Sequence, residues 1–464
     1  MCGIFGIVSN EEVVSRVVSG IYDLQHRGEQ AVGIAVSDGK ELKIHKKTGL
    51  VTEVFNSEDR EEILKKLSGK FGIGHTLYST VGKKGEEKQS KTFQPLVGDF
   101  HGELFAVSHN GNLIETEALR ERVKEKGYQF ESETSDTEVI VALISTSSQK
   151  DFLVALLEVL PELKGAFALT ILFKNKVIGT RDKCGIRPLC LGRDRGSFML
   201  ASESCAFYTQ GANFIREIQP GEVIILGEKG IENSFSWTSC KTCSRFCIFE
   251  FIYFARPDTK FAGQSVFSYR EKAGELLAKE CPVEADMIIP VPDSGRIYND
   301  AFSRISGIPV KEALFKNRYF STRTFLASRE TDRRTLQRIK LHPLREVVHG
   351  KKVCVIEDSI IRANVSPEVV AMLREEGARE VHMRVCSSPI RFPCFLGIDI
   401  PDQVELVASN LTPEEIAKRV ICCDSLGYLS LKGMIKASGL PKENLCLGCF
   451  TGDYPVKCQN KNCV

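Results

Sequence analysis

The hydrophobic pattern of this chain is built from short, fully apolar runs that stop at acids, serines or glycines. The clearest is Val353 to Ile356, which meets Glu357 and Asp358 and then a turn-like stretch to Ser366 that opens a new segment. A β-branched run with neither strand nor helix periodicity predicts a strand buried on both faces of a parallel sheet. The acids and the turn then lie at the carboxyl end of that strand, where open α/β sheets bind ligands. Ile288 to Gly295, IIPVPDSG, has the same form and ends in a Ser-Gly turn, a second carboxyl-end loop suited to an anion. GAFALTILF (Gly165 to Phe173) and KVIGTRD (Lys176 to Asp182) predict paired strands, PGEVIIL (Pro220 to Leu226) a further one, and a helix is expected to begin near Thr137. The polar, Cys-rich stretch Gly230 to Cys243 carries the only tryptophan and divides the chain into residues 2–235 and 236–464.

Bulk composition narrows the class. The 464 residues suffice for two or three domains, and 42% hydrophobic with 26% charged content is that of a globular chain. A net charge of +2 gives no field that would favour nucleic acid or an anionic membrane, so neither partner is expected. No run of apolar residues is long enough to span a bilayer, and the opening MCGIFGIVSNEE lacks the basic start of a signal peptide, so a cytoplasmic location is expected. In that setting 17 cysteines argue against a disulfide framework and for free thiols, some with a catalytic or metal role.

Candidate chemistry concentrates at a few places. Glu357 and Asp358 can grip a sugar diol or a magnesium ion, while the backbone N–H groups of the next turn can cradle a phosphate. Cys2 becomes the first residue once Met1 is removed, and its α-amino group, with an ordinary pKa of roughly 8, can act as base for its own thiol. Each residue also has a plain structural reading: Cys2 as strand core, Asn110-Gly111 as a hairpin turn, Asp136 as a helix cap, and the Lys/Arg-rich run from Lys316 to Lys340 as a solvated basic helix.

MCGIFGI (Met1 to Ile7), LQHRG (Leu24 to Gly28), HNGNL (His109 to Leu113) and SDTEV (Ser135 to Val139) together resemble the class II glutamine amidotransferases. The resemblance implies an N-terminal-nucleophile αββα fold. It makes Cys2 the nucleophile, and Asn110 and Gly111 the oxyanion hole. Arg27 and Gly28 then shape the glutamine pocket, and Asp136 accepts from the substrate ammonium. One position departs from the pattern. GHTLYST places Leu77 where the family has an arginine for the glutamine carboxylate. Loss of such a partner costs on the order of 2–5 kcal/mol, roughly 30-fold or more in affinity. Lys83 and Lys84 come a few residues later and offer point charges in its place.

The second half resembles the type I phosphoribosyltransferases, and the whole order of motifs resembles the amidophosphoribosyltransferases. That implies a parallel-sheet domain binding phosphoribosyl pyrophosphate (PRPP) and magnesium through Ser294, Gly295, Lys316, Arg318, Glu357, Asp358, Ser359, Arg362 and Ser366. KNRYFSTRTF (Lys316 to Phe325) resembles the family's lid, with Ser328 and Glu330 departing from it. CIFEFIYFARPDT resembles the string that brings Tyr253 and Arg256 to the interface between the two active sites. The family's Gly-Thr-Thr for the 5′-phosphate is replaced by Ala363, Asn364 and Val365. Cys446 and Cys449 form a CxxC, a pattern at home in zinc and redox sites alike. With Cys247 and Cys394 they match one branch's ligands for a 4Fe-4S cluster, whereas Cys240, Cys243, Cys458 and Cys463 offer a zinc alternative.

The implied activity is transfer of glutamine amide nitrogen to PRPP, giving 5-phosphoribosylamine, by a homo-oligomer, a tetramer by resemblance, under nucleotide feedback. The alternative is a catalytically impaired regulatory or nucleotide-binding paralogue, because the substitutions fall in both substrate sites.

Overall fold

A computed structural model of the chain describes residues 1–56, 60–78, 91–238, 244–317, 337–400 and 402–458. In the first half two antiparallel sheets lie face to face. One runs edge to edge through Asn213–Glu217, Cys190–Arg193, Ser197–Ala201, Gly3–Ser9, Phe71–Leu77, Ala31–Ser37 and Leu42–Thr48. The other runs through Gly230–Ser236, Glu222–Gly227, Lys176–Arg181, Gly165–Phe173, Glu103–Leu113 and Leu96–Phe100. Ile4, Ile73, Ala168, Leu172 and Ile224 pack between the sheets. The helix Val14–Asp23 covers the outer face of the first sheet with Val17 and Ile21, and the helices Asp136–Ser145 and Phe152–Val159 cover that of the second. Four layers leave both faces of a central strand buried, so Gly3–Ser9 is buried at every position and Gly165–Phe173 at all but the last. Such strands lose the alternation expected of a one-sided sheet.

The second half is organised on a parallel sheet ordered Met287–Pro290, Lys352–Glu357, Glu380–Val385, Ser425–Tyr428. Within Lys352–Glu357, Val353 and Val355 face the core shared with Val369 and Leu373 of the helix Ser366–Glu375. Cys354 and Ile356 face the opposite core, with Leu277 of the helix Val266–Glu280 and Phe302 of the helix Arg296–Ser306. Helices on both sides are therefore the reason this run has no period. The tail returns to the start of this half, where Leu445–Cys446 pairs in parallel with Phe246–Cys247. Trp237 stays with the first half, donating its N–H to the Gly221 carbonyl at 2.9 Å and its indole N–H to the Arg181 carbonyl at 3.2 Å. Among the described residues no helix is long and apolar enough to cross a membrane.

Candidate active site

Cys2 lies just before the strand Gly3–Ser9, a central strand of the first sheet. Its backbone N–H donates to Asn110 Oδ1 at 3.2 Å, its carbonyl accepts from Arg27 Nε at 3.0 Å, and its thiol reaches the Tyr78 carbonyl at 3.9 Å. Burial pushes the Cys2 thiol up, and the neighbouring N-terminal ammonium pulls it back. That ammonium, on the buried Met1, is itself pushed down by burial to about 5. Gly28 lets the QHRG turn close on the end of the neighbouring strand Phe71–Leu77, since a Cβ there would lie 2.5 Å from the Leu77 carbonyl carbon.

Asn110 and Gly111 do not form a hairpin turn. They lie within the strand Glu103–Leu113, opposite Ala168 and Phe167, because the ladder continues through them. Among the described residues Asn110 Nδ2 is buried without a partner, a state that costs about 1–3 kcal/mol. Phe167, across from Gly111, donates its N–H to the Asp182 carboxylate and accepts from the Asp182 N–H at its carbonyl. Gly111 therefore occupies a non-hydrogen-bonded position of the ladder and does not spend its N–H on that strand. Asp136 is not the helix cap: Ser135 caps, accepting from Glu138 N at 3.2 Å, and Asp136 is the first helical residue. One Asp136 oxygen accepts from Leu113 N at 2.9 Å, and the side chain is 25% exposed. Leu77 ends the strand Phe71–Leu77 one residue beyond the Gly3–Thr76 pair, which sets an apolar side chain beside Cys2.

At the carboxyl ends of the parallel strands two loops meet. Ser294 and Ser359 both donate to Asp358, the latter at 2.5 Å. Gly295 sits where a Cβ would lie 2.7 Å from the Ile356 carbonyl oxygen. Glu357 and Asp358 are buried, and both carboxyls are raised above the usual range, Glu357 first by burial and then by the Asp358 charge. Ala363 adopts φ 53°, the left-handed conformation normally left to glycine. The helix Ser366–Glu375 then starts with no side-chain cap from Val365 and with Pro367 in its first turn, so its free N–H groups, fewer by the proline, face the loop. Two expected cationic contacts are already engaged: Lys316 pairs with Asp293, and Arg362 Nε donates to Glu405 at 2.7 Å. Arg318, Lys83, Lys84, Ser328, Glu330, Cys240, Cys243 and Cys463 lie outside the described residues.

A cavity of about 1050 Å³ is lined by residues of both halves. It is lined by His26, Arg27 and Tyr78 at one end, Tyr253 and Arg256 in the middle, and Glu357 to Ser366 at the other. Tyr253 is half exposed to it. Arg256 reaches back to the first half, where its guanidinium meets Asp23 at 3.4 Å and its backbone N–H donates to Glu203 at 2.9 Å. The segment Cys394 to Asp399 also crosses between the halves. Its Phe395 carbonyl accepts from Asn112 Nδ2 at 3.0 Å, its Leu396 carbonyl from Arg187 Nε at 2.9 Å, and Gly397 packs on the Gly111 backbone.

A family described as "Glutamine amidotransferase domain" matches residues 86–209. The amidophosphoribosyltransferase of Methanocaldococcus jannaschii is 42% identical over 98% of both chains. That of Synechococcus elongatus is 40% identical over 98% of this chain and 91% of its own. The chain belongs to the amidophosphoribosyltransferase family. Among solved structures, the B. subtilis glutamine PRPP amidotransferase complexed with ADP and GMP is 38% identical, with a TM-score of 0.89 over 98% of each chain. A structure described as the allosteric regulatory enzyme of purine biosynthesis gives 0.91 at 38% identity, covering 100% of this chain. The fold is accordingly an N-terminal-nucleophile αββα unit followed by a type I phosphoribosyltransferase unit.

With this membership the cysteines gain context. Cys247 lies directly across from Cys446 in the parallel pair, the Cys449 carbonyl accepts from the N–H groups of Arg391 and Phe392 at 3.0 and 3.1 Å, and Cys394 is close by in sequence. None of the four is in a disulfide, whereas Cys458 is. Among the described residues no three metal-ligating side chains are gathered closely enough to hold an ion. Three residues of the site carried no assignment from sequence: Glu203, Glu250 and Arg187. The signal for Glu250 was a single carboxylate inside the aromatic run CIFEFIYF, where a buried charge requires a partner.

Proposed function

We infer that this chain transfers the amide nitrogen of glutamine to C1 of PRPP, releasing glutamate and pyrophosphate and forming 5-phosphoribosylamine, the first step of purine biosynthesis. What supports this is a cavity lined both by Arg27 and Tyr78, which contact Cys2, and by the paired acids Glu357 and Asp358. With Met1 removed, the Cys2 amine takes the thiol proton as Sγ attacks the carboxamide carbon. Asn110 Nδ2 and the Gly111 N–H stabilise the oxyanion, and Asp136 holds the substrate ammonium. The proton passes to the leaving nitrogen, ammonia departs into the cavity, and water cleaves the thioester to give glutamate. At the far end Glu357 and Asp358 hold the ribose diol while ammonia adds to C1 and pyrophosphate leaves, guided by the loops at Ser294-Gly295 and Ser359 to Ser366. Magnesium, when bound with PRPP, neutralises pyrophosphate charge. We place the division of labour near residue 236.

Cys247, Cys394, Cys446 and Cys449 fit a 4Fe-4S cluster by donor chemistry. All four are free thiols, the Leu396 N–H donates to Cys394 sulfur at 3.4 Å, and the Arg187 cation lies among them. Burial raises the thiols of Cys247, Cys446 and Cys449, so holding them as thiolates calls for a compensating metal. The bound ADP and GMP of the B. subtilis relative support feedback by purine nucleotides here. The test is a product assay with PRPP, magnesium and either glutamine or ammonia. Glutamine-dependent synthesis lost in Cys2→Ala with ammonia-dependent synthesis kept is the expected result, and no product from either nitrogen source would leave the regulatory paralogue.

A further inference from the structure

Behind the nucleophile, where the two halves meet, four charged side chains are sealed from solvent. Arg27, Arg187 and Glu203 come from the first half and Glu250 from the second, and each side chain is 0% exposed. Arg27 holds Glu250 in a two-pronged pair, NH1 to Oε2 at 3.0 Å and NH2 to Oε1 at 2.9 Å. Its NH1 also donates to Glu203 at 2.5 Å, and its Nε to the Cys2 carbonyl at 3.0 Å. The other Glu203 oxygen accepts from the Arg256 N–H at 2.9 Å and the Thr259 hydroxyl at 2.8 Å. Arg187 lies 3.6 Å from Glu250 and grips the Leu396 carbonyl.

Such a cluster is a poor way to stabilise a core, because apolar side chains of similar volume serve as well or better. What it provides is direction. A planar guanidinium pinned by two carboxylates has one orientation, and the prong left over is spent on the carbonyl of the residue that bears the nucleophile. We propose that Glu250 is a positioning residue for the glutaminase reaction. Through Arg27 it fixes the Cys2 main chain, so the phosphoribosyltransferase half completes the active site of the glutaminase half. Glu203 acts in the same way from its own side and extends the linkage to Arg256, which lines the cavity.

This inference rests on the reaction proposed above, and the full-length chain tests both. Glu250→Gln keeps the shape and removes the charge. Its glutamine-dependent kcat is expected to fall about 10- to 100-fold, as for a small misplacement of a reacting group. Its ammonia-dependent rate and its KM for PRPP should stay within about twofold of the parent, a split that general loosening of the fold would not produce. Glu250→Asp, with charge retained, should recover part of the loss. Glu203→Gln probes the same arrangement from the other carboxylate and stands in if Glu250→Gln fails to fold. An unchanged glutamine rate in the folded variant, or equal loss of the glutamine and ammonia rates, overturns the proposal. Failure of the reaction itself would show in the parent, before any substitution.

Discussion

The loop Ala363-Asn364-Val365 invites a substitution series whose outcome depends on a backbone angle. Ala363 already holds the left-handed conformation at φ 53°, and its methyl packs in the core beside Ile360 at 9% exposure. Replacing it by glycine relieves roughly 1–2 kcal/mol of conformational cost. The same change forfeits about 0.8 kcal/mol of methyl burial and adds about 0.4–1 kcal/mol of unfolded-state entropy. These contributions nearly cancel, and the loop's path is already the one a glycine would give. Ala363→Gly alone should therefore change PRPP affinity by less than about threefold. Asn364→Thr with Val365→Thr is different, because each hydroxyl placed on a charged phosphate contributes about 1.5–3 kcal/mol. The double variant should bind PRPP with magnesium at least about tenfold more tightly in a calorimetric titration. Tighter binding from Ala363→Gly with none from the double variant would refute the reasoning and put the deficit in the backbone.

Three other outcomes are expected from the geometry. Leu77→Arg should lower the KM for glutamine, since the side chain stands beside Cys2, and an unchanged KM would mean that the substrate carboxylate is held elsewhere. Changing Cys446 and Cys449 to serine should remove iron and sulfide together from anaerobically purified protein and lower its Tm, whereas stoichiometric zinc in the parent would replace the cluster reading. Glu357→Gln should raise the Tm at pH 8 more than at pH 5. With the folded pKa raised above the unfolded one, the native state binds more protons between the two values, so the glutamate's contribution is present at low pH and lost as pH rises through the folded pKa. A Tm gain equal at both pH values would show that Glu357 titrates normally.

Legibility tracked the range of the interactions. The strand Lys352–Glu357 and its acids could be read because burial on two faces leaves a local signature in the residues themselves. Cys2, Asn110 and Asp136 were visible as motifs, yet the turn and cap readings of Asn110-Gly111 and Asp136 could be discarded only once the ladder to Ala168 and the Ser135 cap were seen. Glu250 and Glu203 were out of reach, since the arginine that gives them meaning lies 223 and 176 residues away. For Lys316 and Arg362 the place near an anion site could be read from the sequence, but their ion pairs with Asp293 and Glu405, 23 and 43 residues away, could not.

The packing of Gly397 on Gly111 bears on how such a protein can be rearranged. A Cβ on Gly397 would lie 2.9 Å from the Gly111 carbonyl carbon, and one on Gly111 would lie 1.9 Å from the Ala166 oxygen. Main chain meets main chain there, with no side chain between them that could be retuned. A chimera joining this first half to the second half of a distant relative could not repair a mismatch by substitution at that point. It would need the donor's backbone to trace the same path, so a working chimera calls for a partner that already shares this crossing.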